Sequence, residues 1–282
     1  MNTIVIHSLW LIFYQFNKAY SMKNKFKTIS ILFISLISLS LTGCQKNQDN
    51  AIASLNGLQE KTFAVPTGSV ADKLVTSVFP NAKFQYFNSV LDAAIAVRQG
   101  KAEVAAYDEP ILKNIAAKND GLRVLPEMIT KDNYGFAVRI DDKDLKNAID
   151  SEVNDLKSSG QYDQMLKRWL PEQGNPGVMP DISSGSNGVL RFGTAAITEP
   201  FSFVDGSQQI VGLDIEIAKL VAKRLNKKLE IVNMDFGAMI PALMANKVDM
   251  IGACITITDE RAKKVLFSQP YYVGGIAAMV KK

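Results

Sequence analysis

The chain has 282 residues, 47% of them hydrophobic and 21% charged, and a formal net charge of +4. That hydrophobic share suits one large or two small cores and excludes a disordered or fibrous chain. The excess positive charge sits in the first 43 residues, which hold Lys18, Lys23, Lys25 and Lys27 and no acid; the remainder is balanced, 28 basic against 28 acidic side chains, and gives no electrostatic reason to expect nucleic acid as a partner. The only histidine, His7, also lies in that leading segment, so histidine chemistry is absent downstream, and neither a metal nor a cofactor is expected.

From Met22 the chain reads MKNKFKTISILFISLISLSLTGC: a lysine-bearing start, an apolar run, then small residues before Cys44. This is the build of an export signal, which places the true start at Met22 and gives residues 1–43 to the signal segment. The segment Leu41-Thr42-Gly43-Cys44 resembles a bacterial lipobox, which implies cleavage before Cys44 and its lipidation. A short membrane anchor with an incidental cysteine is the other reading, against which the apolar run falls short of the ~20 residues a spanning helix needs. With Cys44 acylated, Cys254 has no partner for an intramolecular disulfide. Residues 44–57, polar and small, read as a tether.

Strand-like and helical runs then alternate: KTFAVPTG, SVADKLVTSVF, AKFQYF, SVLDAAIAVRQGK, AEVAAYD, EPILKNIAAKN and LRVLPE. This βα order predicts an α/β unit with a mainly parallel sheet over 58–133. Next come a strand, YGFAVRI, and two helices broken at Gly160, together 134–170. Residues 171–188 gather prolines, glycines and serines and read as a linker. Alternation resumes over 189–282, ending on PYYVGGIAAMVKK, whose apolar run reads as a buried strand. The two stretches LDAAIAVRQGKAEVAAYDEP and IPALMANKVDMIGACITI share one pattern of helix, turn, strand and polar loop. Two open α/β units in one chain predict two lobes facing across a cleft, with ligand at the carboxyl ends of the strands.

In TITDERAKKV, a helix capped by Thr258 would place the cation of Arg261 where the helix dipole disfavours it. Arg261 therefore either pairs with its own Asp259 or Glu260 or takes an anion from elsewhere. In PTGSVAD, Ser69 and Asp72 make a capping box, while Thr67, Gly68 and Ser69 offer hydroxyls and amides at a helix start, either a plain structural cap or a site for a carboxylate or phosphate. Asp108, ending AAYD, either caps the following helix or meets an ammonium. Phe201 and Phe236 either wall a pocket or pack in the core. Cys254 has no histidine to activate it and reads as a small buried residue. Taken together, an arginine, an anion-binding helix start and an aspartate equip a site for the zwitterion of an α-amino acid. No catalytic residue is expected.

RFGTAAITEPFSFVDGSQQIVGLDIEIAKLVAKRL, MDFGAMIPALMANKVDMI and TITDERAKKVLFSQPYY resemble the N-terminal half of the polar amino-acid-binding proteins of ABC importers, solute-binding family 3. GLQEKTFAVPTGS, YDEP, NYGFAVR and SSGQYDQMLKRWL resemble that family's second half. The resemblance covers nearly all of 55–282 and implies a two-lobed periplasmic-binding-protein fold, with 58–133 as lobe 2, 134–170 as hinge strand and helices packing on lobe 1, and 189–282 as lobe 1. It implies that Arg261 clamps the ligand carboxylate with Thr256 and the Thr67 to Val70 helix start. Asp108 would take the ammonium, beside the backbone at Cys254 and the ring of Phe236. Two positions depart from the common pattern: Thr198 stands where an aromatic often stacks, and Ala195 where an acid often reads the side chain, which argues against a lysine or arginine ligand.

The halves stand in the reverse of the family's order, so the resemblance implies a circular permutation. On that reading the last strand belongs to lobe 1 and its hinge, one covalent crossover remains near Tyr134 to Arg139, and the hinge is looser. A monomer, or a domain-swapped dimer in which the strand continues in another chain, would satisfy it. The implied function is capture of a polar amino acid by lobe closure and delivery to an ABC permease, by a lipoprotein of the cell envelope, facing the periplasm or the exterior. The alternatives are an amino-acid-sensing lipoprotein without a transporter and a dehydratase-like enzyme, for which Asp108, Glu109 and Glu199 are the acids at hand.

Overall fold

The computed structural model describes residues 52–171 and 175–282; the signal segment, Cys44 and most of the tether lie outside the described residues. In the first half, strands β1 (Thr62–Pro66), β2 (Lys83–Phe87), β3 (Val104–Asp108) and β4 (Leu122–Met128) alternate with helices α1 (Ala71–Val78), α2 (Val90–Arg98) and α3 (Glu109–Ala117). β1 pairs in parallel with β2 and β3. Every residue of β3 is buried, as befits a central strand covered on both faces, and Val104–Tyr107 is accordingly an unbroken apolar run before Asp108.

The second half holds β5 (Asp132–Tyr134), β6 (Ala137–Arg139), α4 (Lys143–Ser158), α5 (Gln161–Trp169), β7 (Val189–Thr194), β8 (Ile197–Thr198), β9 (Ser202–Val204) and β10 (Ile210–Val211). It continues with α6 (Leu213–Arg224), β11 (Lys228–Asn233), α7 (Met239–Met244), β12 (Met250–Ile251), α8 (Asp259–Ala262), β13 (Val265–Phe267), β14 (Tyr272–Gly274) and β15 (Ile276–Lys281). α4 presents Leu145, Ile149, Val153 and Leu156 as one buried stripe, starts on an Asp142 cap that accepts from the Leu145 amide at 3.1 Å, and ends where Gly160 takes a left-handed φ of 76°.

Two five-stranded sheets result, β2-β1-β3-β15-β4 and β11-β7-β12-β6-β13. They share a plan: four strands run one way, and the second from one edge runs against them. In each, that antiparallel strand directly follows a short crossover strand, β6 after β5 and β15 after β14. β6 enters the lobe 1 sheet, and β15 enters the lobe 2 sheet between β3 and β4.

The place of β15 corrects the sequence reading. The final strand does not belong to lobe 1; it is a central strand of lobe 2, where Ile276, Ala278 and Val280 pack with Leu58, Phe63 and Val104. Its apolar run satisfies a buried strand equally well in either sheet, and pairing decides between them. The chain therefore crosses between the sheets twice, through β5 and through β14, and the expectation of a single crossover with a looser hinge is overturned. β5 and β14 pair antiparallel, with Tyr272 opposite Tyr134 and their rings stacked 5.7 Å apart. Gly275 makes the passage possible, since a Cβ there would lie 1.9 Å from the Thr130 carbonyl oxygen. Both edges of β15 are paired within its own chain, so no second copy is needed to complete this sheet.

α5 closes the segment against α6. Trp169 is fully buried and its indole Nε1 donates to Glu216 at 2.5 Å, while Arg168 donates to both oxygens of the same carboxylate at 2.7 and 2.8 Å. Three hydrogen bonds from two partners explain how a buried glutamate is accommodated in the first turn of α6. The described part of the linker is tied down at Gly177, whose amide donates to the Arg168 carbonyl at 2.7 Å, and at Asn187, which donates to that of Asn226 at 2.7 Å.

Candidate functional site

The loops at the carboxyl ends of β1, β3 and β7 and the turns around Phe236 and Cys254 converge between the two sheets. Ser69, Val70, Asp108, Phe236, Cys254, Thr256 and Arg261 line one small enclosed space. Gly68 joins Phe236 and Arg261 in an adjoining one. Thr67 and Thr198 line a larger cavity of about 600 Å³, which shares Phe236 and Tyr107 with the first. All ten residues singled out from the sequence thus lie in one inter-lobe region, three or four chain segments deep.

Arg261 is held from its own lobe. Its amide donates to the Thr258 hydroxyl at 3.2 Å, the expected helix cap, and its Nη1 donates to the Thr256 carbonyl at 3.0 Å. Its Cζ lies 5.6 Å from the centre of the Phe236 ring. No carboxylate pairs with it among the described residues. Glu260, one of its two neighbouring acids, is taken by Lys73 of the opposite lobe instead. Arg261 is nonetheless only 9% exposed, and burial pulls its pKa below the ordinary arginine value. A guanidinium in that position has donors to spare and pays desolvation without a counter-ion.

Across the cleft, the expected capping box at α1 is absent. Ser69 turns its hydroxyl back to the Pro66 carbonyl at 2.8 Å, and Asp72 accepts from the Lys73 amide and the Tyr86 hydroxyl. The N-cap residue Val70 makes no side-chain cap, and the Ala71 amide reaches the Ser69 hydroxyl only at a long 3.4 Å, so the first turn of α1 is weakly capped beside the space that Arg261 lines. Gly68 holds the turn in the left-handed region, φ +80°, and a Cβ on it would lie 2.9 Å from the Gly237 Cα, so the lobes touch backbone to backbone here.

Asp108 does not cap α3 with its side chain. It is 4% exposed, its Oδ1 has no hydrogen-bond partner, and its Oδ2 lies 4.0 Å from the Cys254 sulfur. Burial pushes its pKa up to about 7, with Tyr134 and Arg261 holding it from rising further. Cys254 sits at φ +48°, and this strained turn aims its amide at Asp214 Oδ2, 2.9 Å away. Asp214 is fully buried in the first turn of α6, and burial raises it also to about 7, opposed by Tyr271 and the Cys254 amide. The thiol of Cys254 is raised by burial next to two carboxyls, which makes it a poor nucleophile. Its amide is spoken for by Asp214, so only the rest of its backbone faces the cleft.

Sequence reasoning missed Asp214, Tyr107, Asn88 and Asp235. Asp214 reads as an ordinary first-turn acid, and nothing local announces that it is buried against the Cys254 turn. Asn88 and Asp235 lie in the loops after strands β2 and β11, and that position is the signal that could have found them. Phe201 is a core residue, packed edge-on to Tyr134 and Tyr272, rather than a pocket wall.

Two α/β lobes joined by paired crossover strands, with polar groups of both lobes turned into the gap, define a cleft-binding protein. Residues 190–282 match the bacterial extracellular solute-binding proteins, family 3. It is similar to the arginine-binding extracellular protein ArtP of Bacillus subtilis (strain 168), 40% identical over 93 residues, 33% of this chain and 36% of that protein. It is also similar to the putative ABC transporter arginine-binding protein 2 of Escherichia coli (strain K12), 36% identical over 91 residues, 32% of this chain and 37% of that protein. Among solved structures, an ancestral arginine-binding protein bound to arginine matches at 49% identity over 30% of this chain and 38% of its own, with a TM-score of 0.30. The chain spans little more than a third of the length of the curated relatives it matches.

Proposed function

We propose that this protein captures a polar amino acid between its lobes and hands it to an ABC permease. The observation that carries this reading is the unpaired, buried Arg261 on one lobe facing the weakly capped start of α1 and the orphaned Oδ1 of Asp108 on the other. An α-carboxylate would complete the guanidinium and the α1 amides, with Thr256, Ser69 and Val70 around it. An α-ammonium would complete Asp108. Closure then follows from differential contact: the ligand bridges groups on both lobes and favours the form that brings them together. The names of the relatives, which include arginine-, cystine- and histidine-binding proteins, favour the same class of ligand.

The protein would work outside the cytoplasm, tethered to the envelope through a lipid on Cys44, with the halves in permuted order and the fold complete in one copy. Screening the common amino acids for an upward shift of the thermal midpoint tests the capture, since ligand at a hundred times its Kd adds ~2.7 kcal/mol. No shift with any of them would sink it.

A second reading, an enzyme on this scaffold, draws on the pKa near 7 of Asp108, which suits a general acid or base. Its other candidates are occupied: Glu109 pairs with Lys113, and Glu199 with Lys118 at 2.6 Å. Ligand recovered unchanged after long incubation would exclude turnover.

A further inference from the structure

Beyond the clamp, the cavity of about 600 Å³ is where a ligand side chain would extend, because Tyr107 and Phe236 line both spaces. That volume falls within the range of small-molecule sites. Its wall is built from both lobes, Asn88 and Ser89 from one and Thr198, Asp235 and Phe236 from the other. Asp235 is the only charged residue among those that line it, and no lysine or arginine does.

The Asp235 carboxylate has neither an ion pair nor a hydrogen bond among the described residues, and it does not cap the short helical turn that follows it. The neighbouring acid at the cleft mouth, Glu199, is by contrast neutralised by Lys118, and Asp92 accepts from the Ser89 hydroxyl at 2.8 Å. Asp235 also stands next to the position where the family resemblance expects an acid and this chain has Ala195. β7 and β11 are adjacent parallel strands, paired from Val189 opposite Lys228 to Thr194 opposite Asn233. Ala195 follows the end of one and Asp235 follows the end of the other, and the Met234 amide ties the two loops by donating to the Thr194 carbonyl at 2.9 Å. Ala195 itself is fully buried and offers no group to a ligand.

We propose that Asp235 is the residue that reads the ligand side chain and that it selects an amino acid with a cationic one, such as a guanidinium or a second ammonium. This rests on the reading of the cleft as an amino-acid site. It reverses what Ala195 alone suggests, because the carboxylate is supplied from the neighbouring loop instead of being lost. A carboxylate wall with no cation disfavours aspartate and glutamate as ligands.

Calorimetric titration of the purified protein with L-arginine, its neutral isostere L-citrulline, and L-glutamate tests this, on wild type and Asp235→Asn. Arginine should bind about fivefold tighter than citrulline, the upper end for a solvent-reached ion pair, and glutamate weakest of the three. In Asp235→Asn the arginine preference should shrink to within about twofold while citrulline affinity holds. Equal affinity for arginine and citrulline in wild type, or a parallel loss of both in the variant, overturns the assignment of Asp235 and leaves the amino-acid site standing. Binding of none of the common amino acids overturns the site itself, and this inference with it.

Discussion

The Nη2 of Arg261 stands 3.5 Å from the carbonyl oxygen of Gly68, on the opposite lobe. This long contact is the nearest thing to a cross-cleft partner that the guanidinium has, and a neutral carbonyl compensates a buried cation poorly. Arg261→Ala should therefore reduce amino-acid affinity by at least about thirtyfold, as truncating one side of a buried charge pair costs ~2 to 5 kcal/mol. The unliganded variant should melt no earlier than wild type, because the side chain removed is a desolvated charge without a counter-ion. Affinity unchanged in Arg261→Ala, read by calorimetry, would remove the carboxylate clamp from the proposed site.

Gly68 and Gly237 make a second, independent test of closure. At Gly68 a Cβ would meet the Gly237 Cα at 2.9 Å and would also force an L-residue to φ +80°, whereas at Gly237 it would meet the Gly68 Cα at an ordinary 3.8 Å. Gly68→Ala should weaken binding about tenfold, from the ~1 to 2 kcal/mol of left-handed strain together with the clash on closing. Gly237→Ala should stay within about twofold of wild type. Small-angle scattering with saturating ligand distinguishes the cause, since Gly68→Ala should remain more extended than wild type.

The α/β order, the break at Gly160 and the buried character of residues 275–280 were legible because each is a local property of apolar period or of a single glycine. The partner of that last strand was not. β15 pairs with β3 and β4, some 150 residues away, and an apolar run carries no information about which sheet it joins. The short strands β8, β9 and β10, of two or three residues each, fall below the length at which a period shows. In the candidate site, Arg261 was marked by a cation in the first turn of a helix, a local conflict. Asp214 carries no such mark, since an acid at a helix start is favourable and its burial is a tertiary fact. The box of Ser69 and Asp72 shows the reverse failure. Its spacing is right, but the Tyr86 hydroxyl at 3.0 Å takes the aspartate.

Two ion pairs bridge the lobes at the rim, Lys73 with Glu260 and Lys118 with Glu199. All four side chains reach solvent, so each pair contributes at most ~1 kcal/mol to the closed form. Removing both lysines should weaken ligand binding only several-fold, but it should abolish most of the salt dependence of affinity, which in wild type falls as ionic strength rises. Titrations at low and high salt check this. A loss as large as that expected for Arg261→Ala would mean that the rim, rather than the clamp, governs closure.

The pH response of the protein follows from two buried carboxyls. Asp108 and Asp214 each have a pKa near 7, raised above the ordinary carboxylate value by burial. A raised pKa stabilises the fold while the group is protonated. That contribution is fully present below about pH 4 and is lost as pH climbs through about 7, roughly 4 kcal/mol per group at most. The unfolding free energy of the free protein should accordingly decline from pH 4 to 7, and Asp214→Asn should flatten part of that decline. Binding runs the other way. A ligand ammonium needs Asp108 as a carboxylate, so below pH 7 capture must expel a proton, and affinity should rise by up to about tenfold per pH unit before levelling off above 7. Calorimetry in two buffers of different ionisation heat should detect close to one proton released at pH 6. Asp214→Asn should keep this release, since Asp214 meets the Cys254 amide and not the ligand. Asp108→Asn should lose it along with most of the affinity. A proton count of zero at pH 6 in wild type would mean that Asp108 is already ionised before the ligand arrives, and would remove the ammonium from its side.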